Sequence, residues 1–198
     1  MVKSNEIEVL DPKKVTNSNQ NVPPIKQEIR KYLDKETILE VINNLPQGIA
    51  KMLIIVLWMT GLRVSELNSI RKKDIDIKNK IMRVRWLKSR KYNERIIPIK
   101  TELAYILEIY VSTKNSDDLI FPVTRQYIYR VVSRHFPGYS PHTLRHSFAV
   151  NFLRQSTNPT ALVILQRLLG HSKIQTTLEY LRIVPSDMAK ALAEVSFD

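Results

Sequence analysis

Cysteine is absent from the 198 residues, which excludes disulfides, thiolate metal sites and cysteine nucleophiles. No uncharged apolar run approaches the ~18 residues that a membrane-spanning helix needs. The longest apolar stretch, Met52 to Met59, is short and reads as a buried helix. The opening MVKSNEIEVL lacks the apolar core of a secretion signal, so the expected location is intracellular and cytoplasmic. No GxxxxGK[ST] loop occurs, so no nucleotide cofactor is expected. Negative charge is also scarce: 19 Asp and Glu stand against 31 Lys and Arg, a net charge of +12. Hydrophobic residues make up 43% of the chain, enough for a packed core, which excludes global disorder. A basic globular domain of this kind points to a polyanionic partner.

The positive charge is concentrated in two blocks. Residues 71–100 are net +9 and residues 119–182 are net +7. Between them, residues 101–118 are net −3, and the last stretch, 183–198, is net −2. Residues 1–30 are nearly balanced and 31–70 are neutral. Two basic runs in one small domain favour a groove lined from two sides, with a nucleic acid backbone as its occupant.

Residues 1–30 are polar, with Asn17-Ser18-Asn19-Gln20-Asn21 and then Pro23-Pro24, and read as an arm or linker. The core begins after that. Asp34 is placed to cap a helix through Ile38, Val41 and Ile42. A strongly apolar helix is expected from about 47 to 60, with Gly61 as its C-terminal stop, then a short helix over 64–71. Residues 80–86 and 94–99 alternate as two strands joined by a polar turn from Lys88 to Asn93. Helices follow at 101–113, 124–135, 141–155 behind Ser140-Pro141, 159–169 stopped by Gly170, 173–182, and 186–195. The expected class is mainly α with a small antiparallel β-sheet.

Several polar residues stand against this scaffold. Arg63 and Glu66 lie in TGLRVSEL, just past Gly61; His142 and Arg145, three apart on one helix face, lie in SPHTLRHSFA; His171 and Tyr180 lie in LLGHSKIQTTLEYL, just past Gly170. Singly, each has an ordinary structural explanation as an ion pair, a cap or a core aromatic. In this order and spacing the three boxes resemble those of the tyrosine recombinase and integrase family, over about residues 31–183. The resemblance implies the catalytic-domain fold of that family and a catalytic set of Arg63, Lys88, His142, Arg145, His171 and Tyr180, with Glu66 in support. Lys88 is taken from the hairpin stretch WLKSRKYNERIIP, where Lys91 is its competitor.

The implied reaction is transesterification of a DNA phosphodiester. Tyr180 would attack the phosphorus and expel a 5′-hydroxyl, leaving a 3′-phosphotyrosine link that a second 5′-hydroxyl can reverse without ATP. Charge grows on the phosphate oxygens during attack, and guanidinium forks on Arg63 and Arg145 match them. A tyrosine with an ordinary pKa near ~10 needs a base or a positive field. The resemblance gives His142 as the proton acceptor, His171 as a further phosphate donor and Lys88 as the acid for the leaving oxygen. Glu66 would orient Arg63 or His142, and His146, one past Arg145 on a different side of the helix, would be structural or would support the site residues from behind. With three histidines so used, and the fourth, His135, in a basic surface setting, no metal is expected. The remaining basic residues, Arg71, Lys72, Lys73, Arg90, Lys91, Arg95, Arg125, Arg130 and Arg134, are expected to meet the DNA backbone from two sides.

Members of the family commonly carry an additional helical domain before the catalytic one, where this sequence offers about 30 polar residues. A catalytic fragment, a truncated product, and a short recombinase like the fimbrial-switch invertases are the three readings of that difference. Met188, Leu192 and Val195 share one stripe of the last helix, and residues 184–198 would pack either on a neighbouring protomer or on their own domain. Docking between protomers would give a homotetramer on double-stranded DNA, with an accessory DNA-bending protein or a second recombinase as a further partner. A type IB topoisomerase-like nicking and resealing enzyme, and a DNA-binding regulator without turnover, are the competing functions.

Overall fold

The computed structural model describes residues 32–88 and 91–182, and of residues 87, 88, 91, 92 and 182 the backbone alone. The expected arm at 1–30, Arg90 and the expected last helix lie outside the described residues. Eight α-helices are present among them: α1 (Lys35–Asn44), α2 (Ile49–Thr60), α3 (Val64–Leu67), α4 (Thr101–Tyr110), α5 (Arg125–His135), α6 (Pro141–Gln155), α7 (Ala161–Leu169) and α8 (Gln175–Leu178). Short 3-10 turns occupy Lys72–Asp74 and Glu179–Arg182. Strands β1 (Ile75–Asp76), β2 (Ile81–Lys88) and β3 (Lys91–Pro98) form one antiparallel sheet in the order β1-β2-β3.

The centre is α2. Met52 through Leu57 are all buried, so this helix is apolar around most of its girth and must be surrounded. It packs along α6, with α1 and α5 also against it. Each fully buried Leu or Ile here, such as Leu53, Ile54 and Leu57, contributes about 1.5–3 kcal/mol relative to an exposed one. A second, smaller cluster joins α6 to α7 and to the final turn through Ala149, Val150, Leu165, Leu169 and Tyr180.

Some local expectations are corrected. The sheet gains β1, too short to show any period. The strands run further than expected, because β2 and β3 pair out through Trp86↔Asn93, Leu87↔Tyr92 and Lys88↔Lys91. Polar side chains on a two-stranded ribbon can face water, so their run did not end the strands. The helix expected over 64–71 stops at Leu67; Arg71 then bridges to Leu119. Asp34 sits at the N-cap of α1 without a side-chain cap bond, and its carboxylate lies 3.7 Å from Arg154.

Gly61 and Gly170 terminate α2 and α7 in the left-handed conformation, with φ of 63° at each. A Cβ on Gly61 would lie 2.5 Å from Phe148 Cδ1. Gly61→Ala should therefore cost about 2–5 kcal/mol, combining left-handed strain and overpacking. Gly138, with φ of 83° and open space where a Cβ would go, is the control, and Gly138→Ala should cost only the strain, about 1–2 kcal/mol. Urea denaturation of the two variants measures the difference.

Candidate active site

Helix C-termini leave backbone carbonyls without partners inside the helix. Here the two glycine-ended helices turn theirs on arginines. Three consecutive carbonyls at the end of α7 each accept from a different guanidinium: Leu168 O from Arg95 Nε at 2.9 Å, Leu169 O from Arg145 Nη2 at 2.8 Å, and Gly170 O from Arg63 Nη2 at 3.4 Å. The end of α2 adds Gly61 O, which accepts from Arg145 Nη1 at 2.6 Å. Each helix end carries about half a negative charge, so cations are favoured there.

Glu66 completes the cluster. Its carboxylate is 1% exposed and accepts from Arg95 Nη1 at 2.8 Å and Nη2 at 3.1 Å, and from Arg63 Nη1 at 2.8 Å. It also accepts the Arg63 backbone N–H at 2.8 Å, which starts α3, and lies 4.0 Å from Arg145. Burial alone would raise the Glu66 pKa; Arg95 and then Arg63 outweigh it and hold the group below the ordinary carboxylate value. Three guanidiniums thus face one carboxylate and two helix ends, which leaves about one positive charge unbalanced. Burial and the neighbouring Arg63 bring the Arg145 pKa down to about 10, so it stays charged at neutral pH. The Arg63 side chain is 35% exposed, so this member of the cluster opens toward solvent.

Tyr180 is 4% exposed and its Oη lies 3.0 Å from His146 Nδ1. The His171 ring is parallel to the Tyr180 ring within 7°, with centroids 6.4 Å apart. His171 Nδ1 is 2.9 Å from Thr177 Oγ1, and burial, then Arg145, Arg63 and Arg95, push its pKa down to about 4. His171 is therefore neutral at neutral pH. Burial raises the Tyr180 pKa, opposed by Arg145 and Arg63 and reinforced by Glu179. His142 is exposed at the first turn of α6; desolvation, then Arg145, Arg63 and Arg125, lower its pKa.

Arg63, Glu66, Arg145, His171 and Tyr180, expected from three separate boxes, thus meet at the ends of α2 and α7. Lys88 ends β2 and faces Lys91 across the ladder, and only their backbones are described. Arg95 is the clearest correction. It was expected on the DNA-facing surface, but it shares a face of β3 with buried Ile97, lies over Trp86 at 5.2 Å, and is held by Glu66. That strand parity was readable in the sequence. His146, expected as a structural or supporting residue, reaches Tyr180. Its position four residues after His142, on the same helix face, was the available signal. Of the other basic residues, Arg71 donates to Asp117 O, Lys73 pairs with Asp117, and Lys72 Nζ donates to Lys114 O at 2.6 Å, so the acidic 101–118 segment meets part of their charge. Arg125, Arg130 and Arg134 are exposed on α5. No group of three His, Asp or Glu side chains among the described residues could hold a metal ion.

Glu66→Gln leaves Arg95 and Arg145 buried without their anion and should cost about 3–5 kcal/mol in urea denaturation. His171 supplies a pH test. Its folded pKa of about 4 lies below the ordinary histidine value of 6.5, so the unfolded chain takes up the proton first on acidification. Its contribution to stability is complete above about pH 6.5 and is lost as pH falls toward 4. His171→Asn removes that loss. Between pH 7.5 and 5.0 the wild type should lose stability relative to the variant; a constant difference would contradict the assignment.

The sequence pattern of the phage integrase family matches residues 31–186. The tyrosine recombinase XerA of Saccharolobus solfataricus is 34% identical over 171 residues, covering 84% of this chain and 57% of that protein. The chain spans between about half and two thirds of the curated relatives it resembles, such as 64% of the XerA of Thermococcus onnurineus, 29% identical over 85% of this chain. In fold, it superposes on a crystal structure of XerA recombinase with a TM-score of 0.68 at 24% identity, covering 84% of this chain and 64% of the other. On that match across residues 31–186, with the glycine-ended helices and arginine cluster inside it, the chain belongs to the phage integrase family.

Proposed function

We propose that this chain is the strand-cleaving part of a site-specific DNA recombinase or integrase, and that Tyr180 forms the 3′-phosphotyrosine link. The observation that carries the reading is the buried tyrosine hydroxyl beside an arginine cluster whose positive charge is only partly met. A scissile phosphate seated on Arg63 and Arg145 would find donors already oriented, so little reorganisation is needed when charge grows on its oxygens. Losing one such donor costs about 3–4 kcal/mol of barrier, or ~100–1000-fold in rate.

The proton balance is simple. As the Oη–P bond forms, the P–O5′ bond breaks; the phenolic proton passes to a base, and the leaving oxygen takes one from Lys88. The reverse sequence joins a new 5′-hydroxyl. His171, neutral, can donate to the same phosphate but cannot add charge there. The exposed arginines of α5 and the basic hairpin would hold the duplex through its phosphates, which makes binding strongly salt-dependent. Residues 31–183 would be the catalytic domain and 184–198 a helix docking on a neighbouring protomer, giving a tetramer on double-stranded DNA inside the cell.

Nicked duplexes from a randomised pool, captured covalently on the wild type, supply the substrate. Tyr180→Phe should form no adduct, and Arg145→Lys should slow adduct formation ~100–1000-fold. Failure of the wild type to capture any duplex would leave a DNA-binding regulator as the better reading, and relaxation of supercoils without exchange between duplexes would favour a topoisomerase. Lys88→Ala should be strongly impaired on ordinary DNA and restored when the leaving atom is a 5′-bridging sulfur, which departs without an acid. The same rescue for Lys91→Ala instead would move the acid to Lys91.

A further inference from the structure

We propose that His146, rather than His142, is the base that takes the Tyr180 proton. The inference rests on the strand-cleaving reading and assigns a second histidine of α6 a part in it. The contact is direct: His146 Nδ1 lies 3.0 Å from Tyr180 Oη, inside the range that proton transfer requires. With the proton of a neutral imidazole on Nε2, the Nδ1 lone pair faces the phenol, and Tyr180 donates.

The fold holds this histidine in register. Arg145, its immediate neighbour, is tied to Gly61 O and Leu169 O, and Ser147 on the other side donates to Thr143 O while accepting the Leu33 N–H at 2.8 Å. The stretch of α6 that carries His146 is therefore anchored on both flanks. Tyr180 is packed on α6 and α7 in the smaller core cluster, with its ring 5.5 Å from that of His146.

The other candidates are less suited. His142 is exposed, and Arg145, Arg63 and Arg125 all oppose a proton on it. The Nδ1 of His171 is engaged by Thr177 Oγ1, and its low basicity makes it a poor acceptor. Glu66 is held by arginines. The charged and titratable groups around the pair are Arg145 and Arg63, which favour tyrosinate, Glu179, which opposes it, and His171, which faces both. In the reaction, Tyr180 Oη gives its proton to His146 Nδ1 while the Oη–P bond forms, the P–O5′ bond breaks and Lys88 protonates O5′. On resealing, the incoming 5′-hydroxyl returns a proton to Lys88 and His146 returns one to Tyr180.

The test is the pH–rate profile of adduct formation on the captured nicked duplexes, with His146→Asn and His146→Gln. Asn can keep a hydrogen bond at the Nδ1 position, but neither amide takes a proton. Both variants should be about 100-fold slower than wild type at pH 7, within the range for loss of a general base. Their rates should climb about tenfold per pH unit from 7 to 9, while the wild type levels off. Fluorotyrosine at position 180, a stronger acid than tyrosine, should recover most of the lost rate in His146→Asn. Variants whose profiles keep the wild-type shape, or whose loss fluorotyrosine leaves untouched, would overturn the assignment and reduce His146 to a seat for the ring. A wild type that forms no adduct would instead defeat the strand-cleaving reading itself.

Discussion

A single buried carboxylate holds this site together. Glu66 sits among Arg63, Arg95 and Arg145, and without it three guanidiniums could not share so small a volume. One carboxylate is not enough by itself, because its charge is one against three. The two helix ends supply the rest, and they can do so only because Gly61 and Gly170 turn the chain into left-handed conformations that leave the last carbonyls pointing at the arginines. The balance stops short of neutrality. That shortfall is what would make the cluster a receptor for a phosphate rather than a closed structural ion pair.

The cluster also ties distant parts of the chain together. Arg95 belongs to the hairpin, Glu66 to α3, Arg145 to α6, and their acceptors to the ends of α2 and α7. The hairpin that carries Lys88 is therefore anchored near its middle by Arg95, which pairs with Val84, four positions along β2 from Lys88. Tyr180 is fixed by apolar packing on α6 and α7, the helices that hold Arg145 and one of its acceptors, Leu169 O. Tyr180 and the arginines thus share one support, so a shift in α7 would move both.

Much of this is legible in the sequence. The glycine stops, the apolar α2 and the Ser-Pro start of α6 are strong local signals, and they place the three boxes at element ends. The burial of Arg95 and the contact of His146 with Tyr180 were harder to read, for different reasons. An arginine in a basic run looks like surface charge unless strand parity is followed, and Arg95 falls on the parity of Ile97 and Ile99. His146 was set aside as lying off the face of His142 and Arg145, although four residues past His142 is one helical turn. The partner choices of the guanidiniums were not readable at all, since they depend on carbonyls brought close by tertiary packing.

The arginines are held in place in the free protein. Side-chain ¹⁵N NMR of the free protein tests this directly. Arg95 and Arg145 should show separate, slowly exchanging Nη resonances, and in Glu66→Gln those of Arg95 should collapse toward an average. Averaged guanidinium signals in the wild type, like those of a freely rotating surface arginine, would contradict the account.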